Sequence, residues 1–262
     1  MLRMVVAVMC AVACAAATAA ASYVDVPGGR FESVLPQGTS PTVSTPVDVR
    51  RFAMRVTPVT VGEYLEFVRT HPQWQRQRVA RLFAEQRYLI DWAAPLDPGG
   101  AVSLRAPVVD VSWFAAKAYC DSEGARLPTW REWEYVAAAD ETRTDARTDA
   151  AWRRRILSWY ERPSSAPLEA VGGVANAYGV RDVHGLVWEW VDDFNALFIA
   201  GDSRTQGDPD LLKFCGSGAI NVIDRDSYAV LMRIALLSSL NASDTTRSLG
   251  FRCARTIQRG TP

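Results

Sequence analysis

Net charge of either sign is missing from this 262-residue chain, in which 29 lysines and arginines face 29 aspartates and glutamates. Without a basic excess there is no electrostatic footprint for a nucleic-acid partner and no polybasic membrane contact. Histidine is scarce: His71 and His184 are the only two. An iron site built from two histidines and a carboxylate would have to use both. His71 falls at the predicted end of a helix, where a group able to carry positive charge is ordinary. His184 lies in the turn of DVHGLVWEW, and a structural role is expected for each. The sequence has no internal repeat and no heptad run. It also lacks an apolar run that reaches the roughly 20 residues a membrane-spanning helix needs.

The first residues, MLRMVVAVMCAVACAAATAAAS, combine Arg3, an apolar run from Val5 and small residues ending in Ala19-Ala20-Ala21. That is the three-part pattern of a secretory signal peptide, with cleavage expected near Ala21. Residues 1–21 are therefore read as the signal and 22–262 as one exported domain, periplasmic or secreted, with no integral membrane span after cleavage. Lipidation at Cys14 is disfavoured, because Ala11-Val12-Ala13 lacks a large aliphatic residue three positions before the cysteine. Cleavage removes Cys10 and Cys14 and leaves Cys120, Cys215 and Cys253. Three thiols in an oxidising compartment allow at most one internal disulfide and leave one cysteine over. Spacing alone does not select the pair.

What is present is a chain with 48% hydrophobic residues, ample for a packed core. SYVDVPGGRF reads as a short strand with a turn at Gly28-Gly29, and VDVRRFAMRVTPVT as one or two strands. Thr60 with Glu63 forms a capping box that opens the helix VGEYLEFVRTH, which ends before Pro72. Ser112 caps a second helix, and Thr129 with Glu132 forms a box that opens a third. Residues 139–155, ADETRTDARTDAAWRRR, show no apolar period and read as an exposed loop or frayed helix. From Ser158 onward turns and short strands are expected. The whole predicts an irregular α+β domain with long ordered loops, held by many of its nine tryptophans.

Six blocks in order carry more information than their local structure: VPGGRF, RVTPVTVGEYLEFV, PVVDVSWFAAKAYC, ARLPTWREWEYVAAA, NAYGVRDVHGLVWEWVDDF and LGFRCAR. Together they run from about residue 24 to 255, and the chain resembles the formylglycine-generating enzyme, or sulfatase-modifying factor, family. The resemblance implies a C-type-lectin-like α+β fold in which loops form a shallow peptide-binding groove. It also implies a disulfide between Cys120 and Cys253, which leaves Cys215 as the unpaired thiol. An exported protein or peptide client is the implied partner.

The same resemblance shows where this chain departs from the family. Members that make formylglycine carry a GGS turn followed by two cysteines with four residues between them, which bind copper(I) and activate dioxygen; paired thiolates suit that soft ion. Here Cys215-Gly216-Ser217 takes the place of that turn. The copper cysteines align with Ile220 and Arg225, or with Asp224 and Ala229 when counted back from LGFR, and no cysteine lies between Gly216 and Arg252. Copper is therefore not expected. Calcium is left open: Leu186 replaces the usual asparagine and offers no side-chain oxygen, while Glu189 and nearby carbonyls remain as donors. Trp188 and Trp190 are candidates for the groove wall or for the core. For replacement chemistry the candidates are Cys215 and Ser217 of the turn together with Asp224, Asp226 and Tyr228. The expected function is maturation or oxidative modification of another exported protein or metabolite, with a non-catalytic client-binding module as the alternative.

Overall fold

A computed structural model describes residues 21–34, 46–161, 167–195 and 228–257. Its strands are short. β1 (Tyr23–Val26) pairs antiparallel with β4 (Phe52–Arg55), and β4 with β7 (Ala254–Thr256), so the first and last described strands flank β4 in one sheet. β2 (Gly29–Phe31) and β3 (Val47–Val49) form an antiparallel ribbon. Between β1 and β2, Gly28 takes φ +74° with Val49 O so close that a Cβ would sit 2.3 Å from it, so glycine is required on two counts. A third pair, β5 (Trp188–Trp190) with β6 (Leu249–Phe251), is parallel and joins the WEW and LGF segments.

The three helices read from sequence are present. α1 (Val61–Thr70) opens on the Thr60–Glu63 box, in which each residue's side chain takes the other's backbone N–H. His71 closes it, with its ring Nδ1 at 3.1 Å from Phe67 O. α2 (Trp113–Ser122) starts at Ser112 and α3 (Trp130–Ala137) at the Thr129–Glu132 box. Tyr64 of α1 lies at the centre of the core, with the rings of Phe67, Trp92, Tyr119 and Phe251 around it and its hydroxyl 2.6 Å from that of Tyr88. Arg55 at the end of β4 is 2% exposed and ties three elements together through Glu63 of α1, Glu123 beyond α2 and the Tyr119 hydroxyl. Sγ of Cys120 on α2 and Sγ of Cys253, between β6 and β7, stand 2.02 Å apart.

Two helices differ from the expectation. α4 (Ala150–Tyr160) starts inside the stretch read as loop or frayed helix, with Asp149 accepting from the N–H groups of Ala151 and Trp152. The run Arg153-Arg154-Arg155 conceals its periodicity; Trp152, Ile156 and Trp159 at i, i+4 and i+7 share one face. The loop before it is ordered by charge: Asp140 accepts from Arg143, which also reaches Asp149. α5 (Tyr228–Ser238) occupies a region assigned to turns and strands. Its sequence, YAVLMRIALLS, is apolar almost throughout and therefore shows no amphipathic period.

Asp110, between α1 and α2, is unusual. It is 2% exposed at φ +55°, its N–H donates to Thr246 O, and its carbonyl accepts from Leu89, itself at φ +47°. Its Oδ1 meets no hydrogen-bond partner among the described residues. Burial, and then the neighbouring Asp91 charge, push its carboxyl up to about 6.

Candidate functional site

The chain's two most characteristic segments, WEW and GFR, meet around one carboxylate. Because β5 and β6 run parallel with Glu189 opposite Gly250, Glu189 points inward two residues' distance from Arg252. Arg252 donates from Nε to both Glu189 oxygens at 3.0 and 2.9 Å and from Nη2 to Oε1 at 2.7 Å. Its remaining donors reach the carbonyls of Arg55, Val56, Arg181 and Asp182. Trp133 of α3 adds an indole N–H to Glu189 Oε2 at 2.8 Å. Arg233 of α5 lays its guanidinium over the Trp133 ring at 3.5 Å and donates to the Glu189 carbonyl. Glu189 thus joins four separate stretches of chain, its carboxylate tying β5 to Arg252 and α3 and its carbonyl reaching α5, and every strong donor around it is charged or aromatic.

Glu189 is the side-chain donor that the sequence leaves open for calcium. In the structure its two oxygens face the Arg252 guanidinium and the Trp133 indole, a surrounding suited to a carboxylate's own neutralisation and not to a second cation. Among the described residues, no group of three or more His, Cys, Asp or Glu side chains is arranged to hold a metal ion. Trp190 is fully buried, its indole N–H donating to Val111 O at 2.9 Å, and it belongs to the core. Trp188 is half-buried, with its N–H on Ser248 O. Cys215, Ser217, Asp224 and Asp226 lie outside the described residues; Tyr228 begins α5, with its side chain likewise outside them.

Next to this junction stands His184. Its Nε2–H donates to Ala137 O at 2.8 Å, and the rings of Trp133, Trp152 and Trp159 surround the imidazole at 5.8, 5.9 and 6.3 Å. Burial, reinforced by the charges of Arg233 and Arg252, pulls its pKa down to about 4, so it is neutral at physiological pH. The following Gly185, at φ +89°, leaves room for Trp159, whose ring would lie 2.5 Å from an added Cβ. The sequence reading of a structural histidine fits this position.

Beside His184, α3, α4 and α5 border a partly open pocket of about 30 Å³. Ala137 and Ala138, Trp152, Ile156, Leu157 and Val230 form most of its wall. Glu134 of α3, 1% exposed, also borders it, accepting from Ser33 Oγ at 2.5 Å, Val34 N–H at 2.7 Å and Trp130 Nε1 at 3.0 Å. Burial raises its pKa, and those hydrogen bonds and Arg147 oppose the rise. The sequence reading passed over Glu134, Arg233 and Arg252. A signal existed for Glu134: it stands four residues after Trp130, on the same helical face, where an acid among apolar residues calls for buried partners.

With fold and site in view, comparison with known proteins settles the family. The Sulfatase-modifying factor enzyme 1-like domain matches residues 11–257, and the chain belongs to this family. An Inactive C-alpha-formylglycine-generating enzyme 2 from Bos taurus is 26% identical over 285 residues, covering 88% of this chain and 87% of the relative. The Formylglycine-generating enzyme of Streptomyces coelicolor is 34% identical over 175 residues, 56% of this chain and about half, 52%, of that protein. Hercynine oxygenase from Mycobacterium tuberculosis is 32% identical over 169 residues, 55% of this chain and 38% of its own length. Among solved structures, PvdO from Pseudomonas aeruginosa aligns over 90% of this chain and 94% of its own, with 20% identity and a TM-score of 0.47. The α+β architecture is that of the sulfatase-modifying factor family, whose relatives include both oxidative enzymes and a member named inactive.

Proposed function

We propose that this protein is an exported member of the sulfatase-modifying factor family that takes part in oxidative maturation of another exported protein or metabolite, by a route other than the copper-dependent formylglycine reaction. The observation that carries this reading is a contrast within one chain. The family match spans nearly the whole sequence and the Glu189–Arg252 junction is fully assembled, yet the positions of the two copper thiolates hold Ile220 and Arg225, or Asp224 and Ala229. A single remaining thiol, Cys215, does not supply the two soft ligands that copper(I) takes. Relatives named as an oxygenase and as formylglycine-generating enzymes support an oxidative role on this scaffold.

The second reading is a non-catalytic module that holds a client. It is favoured by one finding, the match to a relative named inactive over 88% of this chain. The two readings separate on Cys215. The mature protein, offered copper(I) and a CxPxR peptide, is expected to leave the peptide cysteine unchanged under either reading. Client maturation in cells carrying Cys215→Ser or Asp224→Asn with Asp226→Asn is expected to fail under the oxidative reading. Full maturation by both variants, with normal protein levels, would leave the binding module standing.

A further inference from the structure

Residues 72–90, between α1 and α2, carry four arginines and a single acid, Glu85, a local surplus in a chain whose totals cancel. The acid is turned away from the arginines: its Oε1 accepts from the N–H and the hydroxyl of Thr245 at 2.8 and 2.9 Å. Arg76 donates to the Trp92 carbonyl, and Arg87 lowers the pKa of Asp110. Arg78 and Arg81 remain, both exposed and in no ion pair with any described residue. The next acids along the chain on either side, Glu66 and Asp91, are paired with Arg69 and Arg247. Leu82 and Phe83, 75% and 40% exposed, follow Arg81 directly and are the one adjacent pair among the large apolar side chains that the described residues expose. Phe83 is the outer end of an aromatic ladder, its ring 6.0 Å from Trp74 and 5.4 Å from Phe114, with Phe114 5.5 Å from Trp113. Trp113 donates its indole N–H to Val191 O at 3.0 Å, one residue past β5. The ladder therefore runs from the exposed pair to the strand that carries Glu189.

The geometry points to a docking surface for an acidic peptide segment, whose carboxylates pair with Arg78 and Arg81 and whose apolar side chains lie on Leu82 and Phe83. Guanidinium groups bind carboxylates through paired, directed hydrogen bonds, and arginine and aromatic side chains dominate the energetics of protein interfaces. The surface is fixed before anything binds, which lowers the ordering cost of association. Buried Gln75 donates to Val68 O at 3.0 Å, Tyr88 to Trp74 O at 2.8 Å, and the Glu85 N–H to Ser243 O at 3.0 Å. An anionic lipid surface is the poorer fit, because lipid-reading clusters gather roughly four to eight cations and two are free here. That the segment belongs to the client rests on the reading under Proposed function; the capacity to bind it rests on the surface alone.

The probe is a fluorescein-labelled peptide with two phenylalanines flanked on each side by aspartates and glutamates, titrated with the full mature chain. Control peptides carry asparagine and glutamine for the acids, or serine for the phenylalanines, and phosphatidylglycerol vesicles represent a lipid surface. The expected result is saturable binding that weakens as salt is raised, with about a tenfold or greater loss of affinity for either control peptide. Arg78→Glu with Arg81→Glu, and separately Leu82→Ser, should each cost a similar factor while leaving the thermal midpoint unchanged, since all three side chains are exposed. The doubly reversed variant should in turn prefer a peptide with lysines in place of the acids. Equal binding of the amide peptide, full affinity in the variants, no saturable binding, or arginine-dependent binding to the vesicles in preference to the peptide would overturn the inference. The binding measurement uses neither client nor oxidant, so it stands or falls apart from the oxidative reading. Peptide binding together with full client maturation in cells carrying Arg78→Glu and Arg81→Glu would keep the surface and defeat its assignment to the client; impaired maturation in those cells, at normal protein levels, would support it.

Discussion

Arg252 and Glu189 face each other with neither side chain exposed, and two guanidinium nitrogens reach the two carboxylate oxygens at 2.7, 2.9 and 3.0 Å. Removing one partner strands the other's charge in the core. Glu189→Ala should therefore cost about 3–5 kcal/mol, and Arg252→Met a similar amount, whereas the double variant should lose less than the sum. Denaturant unfolding of the four proteins tests this. Strict additivity would mean that the pair does not hold the WEW and GFR segments together.

The pH dependence should show two opposing contributions. Asp110 has a folded pKa raised to about 6, above the ordinary carboxylate value, so its contribution is fully present below about 4 and is lost as pH rises through about 6. His184 has a folded pKa lowered to about 4 from about 6.5, so its contribution is present above about 6.5 and is lost as pH falls toward about 4. The two slopes oppose each other in the same window. Asp110→Asn, which keeps a residue tolerant of positive φ, should raise stability at pH 7 by about 1–2 kcal/mol after allowance for screening, and should leave a stability that falls on acidification. Thermal unfolding between pH 4 and 7 checks both signs. An unchanged pH profile would mean that Asp110 is charged at little cost.

Much of this core could be read before any coordinates. The capping boxes at Thr60 and Thr129 and the Ser112 cap placed α1, α2 and α3, because capping depends on two or three residues at fixed offsets. α4 and α5 escaped for opposite reasons. Three consecutive arginines masked the Trp152, Ile156, Trp159 stripe, and an almost wholly apolar α5 carries no period at all. The ring of donors around Glu189 was also hidden, since Trp133, Arg233 and Arg252 converge only through the β5–β6 pairing and helix packing. The family, by contrast, was legible from six ordered blocks, and the match over residues 11–257 agrees with it.

The thiols give a separate prediction. With Cα atoms 5.5 Å apart, Cys120 and Cys253 are within bonding reach across 133 residues of sequence. In protein recovered from an oxidising compartment, non-reducing peptide mapping should find these two in one cross-linked fragment and Cys215 alkylated. Reduction should cost about 2–5 kcal/mol of stability. A fragment joining Cys215 to either of the others would remove it as the leftover thiol.

Mass spectrometry of exported proteins and metabolites, compared between cells that make this protein and cells that lack it, tests the central claim most directly. Oxidative maturation predicts at least one exported species whose mass differs by the loss of hydrogen or the gain of oxygen only when the protein is present, with the difference vanishing under anaerobic growth and without change on copper depletion. Identical masses in the two sets of cells, or a CxPxR cysteine converted to formylglycine in a copper-dependent manner, would contradict it.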